Sequence, residues 1–426
     1  LSFPEFSLVL RIILNLSSFV LFAIAFSVRA EVNFQDSRTW RRAKLVAPGQ
    51  QVWSFLSTYQ KSSSQFSANG QVESLGAKHS RALTWGQLIN AEKEDEGKAQ
   101  LYEYMRSQGR GENDIAATSS YKLNREDAGF EVNWAYGLTR RWMIGFQIPI
   151  FLRTTTVTST VSLTPTLSRG ANQASQKSIL GLSAKQMGAR VKSLAQQELT
   201  KSGYESIPDQ KQSWEWGDVS LLSQFYLAQG RSWHWALQQM VRFPTSRNPS
   251  VSDFLQRQSD DGQLDLGLTS LVDYRYRKWT LGARAGYIAQ LPDSAKMHVP
   301  DDGIIQKTPV DPKVHRDLGD WMWASVDGDY RLSRRLGLEF EQSYLNKGKD
   351  RYRGESLNGT AYASLGENTE QELHQTRVGV LYDLFVPTSR RGVENKWVAA
   401  VNFSYPWIGR NSSDASKASV EIMSYF

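Results

Sequence analysis

Between residues 130 and 150 the chain alternates in twos. Phe130, Val132, Trp134, Tyr136 and Leu138 fall on one side, and Glu131, Asn133, Ala135 and Gly137 on the other. After a tight turn at residues 137–140 the alternation resumes. Trp142, Ile144, Phe146, Ile148 and Ile150 then share one face, and Met143, Gly145 and Gln147 the other. Period two predicts β-strand, and two such runs joined by a short polar turn predict a hairpin. The pattern recurs at 217–229 with 232–243, 263–276 with 279–291, 321–332 with 336–345, and 376–386 with 397–407. Residues 51–60 predict a lone first strand and 418–426 a lone last one. The stretch 61–126 is less regular: 80–89 and 115–123 suit strands, and 92–109 suits a helix. Leu180, Ala184, Met187, Val191, Leu194 and Ala195 recur at helical spacing, which predicts an amphipathic helix inside a long loop.

The hairpins share a composition at their short turns. A strand ends in Tyr, a basic residue follows, and Trp or Leu opens the return. Tyr136 leads to Arg141-Trp142, Tyr276 to Arg277-Lys278-Trp279, Tyr330 to Arg335-Leu336, and Tyr382 to Lys396-Trp397. Aromatic rings beside basic residues at one level are what a membrane interface selects. Trp134, Tyr136, Trp142, Tyr276, Trp279, Tyr330, Trp397 and the terminal Phe426 are therefore the expected membrane-interface aromatics. The far ends of the return strands carry Pro149, Pro244, Pro292 and Pro406, as suits strands leaving a ladder at a rim. Connections are short on one side and long on the other, roughly 10–60 residues, as in an outer-membrane barrel.

These features predict an all-β fold, an antiparallel transmembrane β-barrel of about 12 strands, or about 14 if residues 80–123 add a pair. Alternation then sorts charge to the inside. The expected lumen lining is Glu131, Asp218, His234 and Arg242 on the earlier strands. On later strands it is Asp265, Asp273, Arg275 and Arg284, then Asp327, Glu339 and Arg377.

Composition narrows the picture further. The chain has no cysteine, which excludes disulfides and thiolate metal sites. The net charge of +7 is spread along 426 residues without a basic block, so no nucleic-acid partner is expected. Residues 1–30 pair Arg11 with an apolar run and small residues at Val28 and Ala30, as in a cleaved signal peptide. Residues 31–50 then form a periplasmic lead-in or small plug, and 51–426 the barrel, with long loops at 61–126 and 158–215. No catalytic or metal motif emerges, and no cofactor is expected. A rim site built from His298 and His315 with Asp301, Asp302 and Asp311 is the one enzymatic arrangement the histidines suggest.

Tyr136-Gly-Leu-Thr-Arg-Arg-Trp-Met-Ile-Gly145, Gly217-Asp218-Val219-Ser220 and Phe243-Pro244-Thr245 resemble outer-membrane barrels associated with the meta-pathway of phenol degradation. Those are similar in turn to long-chain fatty acid transporters. The resemblance covers about residues 125–295 and implies passive uptake of small hydrophobic or aromatic solutes. No motif of the fatty acid transporters' N-terminal hatch is recognisable in residues 31–50. The alternative is a structural or adhesive surface barrel acting through its loops. Either reading places the chain in the outer membrane of a Gram-negative bacterium, against lipid and lipopolysaccharide. The alternating last strand ending in Phe426 resembles the signal read by the barrel assembly machinery.

Overall fold

All five hairpins predicted by the two-residue period are present. The computed structural model describes residues 37–77, 81–90, 92, 94–172, 182–201, 209–246, 262–299, 310–357, 359–385 and 396–426. Twelve strands close into an antiparallel ring. In chain order they are β1 (Gln51–Ser62), β2 (Ile115–Thr139), β3 (Trp142–Leu163), β4 (Val219–Gln229), β5 (Trp233–Phe243) and β6 (Asp265–Tyr276). The second half comprises β7 (Trp279–Gln290), β8 (Trp321–Arg331), β9 (Leu336–Lys347), β10 (Gln371–Phe385), β11 (Lys396–Arg410) and β12 (Lys417–Tyr425). Each strand pairs with its neighbours in sequence, and β12 closes on β1 with Ile422 opposite Phe55.

The expected signal peptide and residues 31–36 lie outside the described residues. Residues 115–123 are not a separate strand but the start of the 25-residue β2, so the ring has twelve strands and not fourteen. In β3 the stretch from Thr154 to Ser162 continues the ladder, opposite Glu126 to Thr118. Threonine is β-branched yet polar, so this half of the hairpin holds extended structure with one face in water, while Ala116, Ala117, Tyr121, Leu123 and Val157 are buried on the other. The outer halves of β2 and β3 thus rise beyond the ring, flanked by short strands Arg81–Thr84 and Gln210–Trp216. The long connections are correspondingly shorter than the expected 61–126 and 158–215.

Local corrections have local causes. The first turn is Arg140-Arg141, with a register shift between Gly137 and Thr139, so the ladder runs two residues further than the spacing suggested. Residues 80–89 divide into the strand Arg81–Thr84 and the helix Trp85–Asn90. Pro149 and Pro406 sit within strands rather than at their ends. Pro149 lies where β3 changes partner, from Ser220 of β4 opposite Gln147 to Trp216 opposite Ile150, so its missing N–H is not needed there. Pro406 lies at a register shift in the β10–β11 ladder.

Alternation sorts the side chains as period two requires. Leu266, Leu268, Leu281, Val326, Phe340, Val378 and Phe403 are exposed on the outer face. Their neighbours Asp265, Arg284, Asp327, Glu339, Glu341 and Arg377 are buried inside. An apolar outer face around the whole ring is stable only against lipid, where the hydrophobic effect that would otherwise bury it is satisfied. Val326→Arg, in the middle of β8, is expected to destabilise the barrel by about 2–4 kcal/mol. Urea unfolding of the barrel from phospholipid vesicles measures it.

The predicted amphipathic helix is Ala184–Lys201, and its apolar face is covered. Met187 and Val191 pack with Trp85, Leu101, Met105 and Leu167 in one buried cluster over the raised β2–β3 hairpin. The helix therefore completes a small cap and offers no open groove. A second small cluster, around Val314 and Tyr362, joins strands Asp293–His298, Val310–Asp317 and Arg351–Arg353 to helix Gly359–Leu365.

Candidate functional site

Strand register creates an electrostatic problem inside the ring. On β8 and β9, Asp327 stands opposite Glu341 and Asp329 opposite Glu339. Like charges directly opposite each other are destabilising. Here all four face inward, where little water reaches them. Arg284 of β7 and Arg377 of β10 offset part of this charge. Arg284 approaches Glu341 at 2.6 Å and Asp327 at 3.7 Å, and Arg377 bonds Glu341.

The remaining countercharge comes from the chain ahead of β1. Arg41 reaches Glu339 at 2.6 Å and Glu341 at 3.0 Å. Arg42 reaches Asp327 at 2.5 Å, Asp329 at 2.7 Å and Asp273 of β6 at 3.5 Å. Arg38 bonds Asp329 and, at 3.1 Å, Glu339. Five carboxylates thus face five guanidiniums, three of them carried by residues 38–42. The guanidinium fork suits this role, since one side chain can bridge two carboxylates. Backbone donors add to it. The N–H of Ala43 donates to Asp273 at 2.9 Å, that of Arg38 to Glu421 at 3.0 Å, and that of Leu45 to the Tyr226 hydroxyl at 3.0 Å.

At another level of the lumen the inner face is apolar. Trp40 is fully buried and packs with Met143, Leu222, Met240, Ile288 and Trp321, which come from β3, β4, β5, β7 and β8. Gly145 makes room for it: a methyl group there would lie 2.5 Å from a Trp40 ring carbon and would strike the Trp134 carbonyl. Gly137 likewise admits the Ala47 carbonyl. Residues 38–47 are therefore held inside the ring by their arginines and by the buried Trp40.

Each expected lumen residue falls on the inner face. Arg242 pairs with Asp265. Glu131 accepts from Asn133 at 2.7 Å, and Asp218 accepts the Ser246 N–H at 2.7 Å. Asp273, Arg284, Asp327, Glu339 and Arg377 join the network just described, while Arg242 and Asp265 do not. His234 stacks on Tyr226 with ring centroids 5.4 Å apart. Arg275 lines a cavity of about 650 Å³ toward the short turns, together with His234 and Arg38. The expected interface aromatics cluster at that same end. Trp134 stacks on Tyr136, Trp279 meets Tyr330 at 4.6 Å, and Trp397 meets Phe426 edge-on at 6.4 Å. Trp142 and Tyr276 are exposed beside them.

Among the described residues the rim histidines do not assemble a site. His315 bonds Ser294 at 2.9 Å, Asp311 bonds the Tyr362 hydroxyl, and Asp301 and Asp302 lie outside the described residues. His374, not expected in a strand, sits on the outer face of β10 between the rings of Tyr344 and Trp407. What residue patterns missed was the role of Arg38, Trp40, Arg41, Arg42 and Tyr226. The dense Arg38-Thr-Trp-Arg-Arg42 run just before the first strand was the available signal.

An outer membrane channel from Pseudomonas putida F1 has a similar structure, with a TM-score of 0.50 at 12% identity, over 93% of this chain and 100% of that one. The chain has the fold of an outer-membrane channel barrel. A FadL homologue from Pseudomonas aeruginosa aligns with a TM-score of 0.33 at 8% identity, over 94% of this chain and 99% of that one. The Ralstonia pickettii toluene transporter TbuX aligns with a TM-score of 0.33 at 8% identity, over 91% and 92%. No protein-family model matches the chain, and no curated protein matches its sequence. The exposed apolar outer wall places the barrel in a lipid bilayer, and its fold is that of an outer-membrane barrel.

Proposed function

We propose that the protein is a passive outer-membrane channel for small hydrophobic or aromatic solutes, with residues 38–47 as its plug. The observation that carries this reading is the inner wall around Trp40. A barrel that passes only ions and sugars is lined by polar side chains. Here Ala135, Met143, Leu222, Met240 and Ile288 form an apolar strip on the lumen side, continuous across four neighbouring strands from β2 to β5 and reaching β7. Trp40 covers this strip while the segment is seated, and displacing Trp40 opens it as an apolar contact surface for a solute in the lumen. The P. putida barrel of the same fold is itself a channel.

In this reading the short turns face the periplasm and the helical cap faces outward, against lipopolysaccharide. The barrel assembly machinery reads β12, the strand that closes the ring on β1. No enzymatic step is assigned to the Ser294–His315 contact.

Uptake into liposomes tests the proposal. Proteoliposomes carrying the full chain are expected to admit phenol faster than protein-free vesicles, and faster than they admit a pentose. Equal, protein-independent entry of both would leave a structural or adhesive surface barrel as the better reading.

A further inference from the structure

The four short turns among the described residues carry seven basic residues and no acidic one. They are Arg140 and Arg141, Arg231, Arg277 and Lys278, and Arg334 and Arg335. Arg277 holds a backbone φ of 53°, a left-handed conformation that Gly or Asn adopts more readily. A two-residue hairpin turn would be most cheaply built from Asn-Gly, so Arg277-Lys278 sets charge above turn propensity. Interface stacking does not need this much charge, since the aromatic residues beside each turn already supply that contact.

The charge continues inward. The cavity of about 650 Å³ at this end is lined by Arg275, Arg277, Lys278, Arg331 and Lys44, with Arg38 and Arg42 behind them. Its acidic lining is Asp273 and Asp329, and both bind plug arginines. Arg331 pairs with Asp383 at 3.0 Å, so the cavity's positive surplus rests chiefly on Arg275, Arg277 and Lys278. A low-dielectric wall around a set of like charges focuses the field into the space they enclose. The cations come from separate elements: Arg275 from β6, Lys278 from the following turn, Arg331 from the end of β8, and Lys44 from the plug.

We propose that this vestibule is a binding site for a small dianion of the dicarboxylate or phosphate class. Cations converging from several elements match two negative charges better than one. The cavity's size accommodates such an ion with part of its hydration shell. The converging side chains line a space inside the ring rather than its outer rim, which favours a dissolved ion over a lipid headgroup. The site is independent of what the channel carries, because binding is read at equilibrium without transport.

Titration calorimetry on the full chain in detergent, at low salt, tests it with succinate and with inorganic phosphate as probes. Saturable binding of either is expected, and acetate is expected to bind about tenfold more weakly or worse. Arg275→Gln with Lys278→Gln should weaken dianion binding by at least about tenfold. Arg334→Gln with Arg335→Gln, on a turn that does not line the cavity, should change it by less than about twofold. Binding of one probe alone would name the class that the vestibule takes. Heat-modified gel mobility checks that each variant retains the barrel. No saturable binding in the wild type, or equal losses in the two double variants, would overturn the proposal.

Discussion

Deleting residues 37–46 is expected to turn a quiet barrel into a conducting one. In planar bilayers, the deleted form should show conductance at least about tenfold above the full chain, with a shift toward cations. The sign follows from the charge network. With the segment in place, Arg38, Arg41 and Arg42 balance Asp273, Asp327, Asp329, Glu339 and Glu341 together with Arg284 and Arg377. Without it, five carboxylates face two guanidiniums, and the inner wall becomes net negative. Water entering the vacated lumen rehydrates those carboxylates, so the ring itself should survive. A single substitution behaves differently. Arg41→Ala leaves Trp40 and the rest of the segment in the lumen, while Glu339 and Glu341 lose a buried partner. Breaking a buried pair from one side typically costs about 3–5 kcal/mol. Arg41→Ala is therefore expected to lower the urea midpoint of the vesicle-embedded barrel, with Arg41→Lys intermediate, because an ammonium does not bridge two carboxylates as a guanidinium fork does. Unchanged conductance in the deletion would mean that residues 38–47 do not close the pore.

The barrel was legible because lipid and lumen impose opposite chemistry on alternate residues. Slipping β7 by one position would turn Arg284 into lipid and Leu281 into the lumen, so register is written into the hydrophobic pattern itself. The twelve-strand count followed from the same alternation once 115–123 joined β2. The outer halves of β2 and β3 were not legible in this way. Their buried face meets a cap built from distant segments and their other face is rich in threonine and serine, so Thr154, Thr156 and Thr158 give no strong apolar alternation and read as loop.

The lumen network was half legible. Alternation assigned Asp327, Glu339 and Arg377 to the inside. It did not show that Asp327 faces Glu341 and Asp329 faces Glu339, because cross-strand register depends on turn lengths at both ends of two strands. Once the register is known, the surplus of acid on β8 and β9 demands cations from elsewhere. Arg38, Arg41 and Arg42 lie too far away in sequence for any local pattern to link them. The segment has no secondary structure to carry a period, so its role is visible only through its partners. The dense arginines before β1 were a compositional signal without an address.

Trp40→Ala is expected to unseat the segment without removing any of its charge, which separates packing from electrostatics. Trp40 is fully buried against Met143, Leu222, Met240, Ile288 and Trp321, and truncating a buried tryptophan typically costs about 3–5 kcal/mol. The loss falls on the segment rather than the ring, because the strand ladders do not involve this residue. Two results should follow: faster phenol entry into proteoliposomes, and faster protease cleavage near Arg41 and Arg42 in detergent-solubilised protein. Gly145→Ala approaches the same slot from the other side. Its methyl would lie 2.5 Å from the Trp40 ring and strike the Trp134 carbonyl, so the indole and the local β2–β3 ladder must both give way while Trp40 itself remains. Matching increases in both variants would assign the seal to indole packing. If Trp40→Ala speeds neither cleavage nor entry, the arginines alone hold the segment. The apolar wall would then have to be explained by the solute and not by the plug.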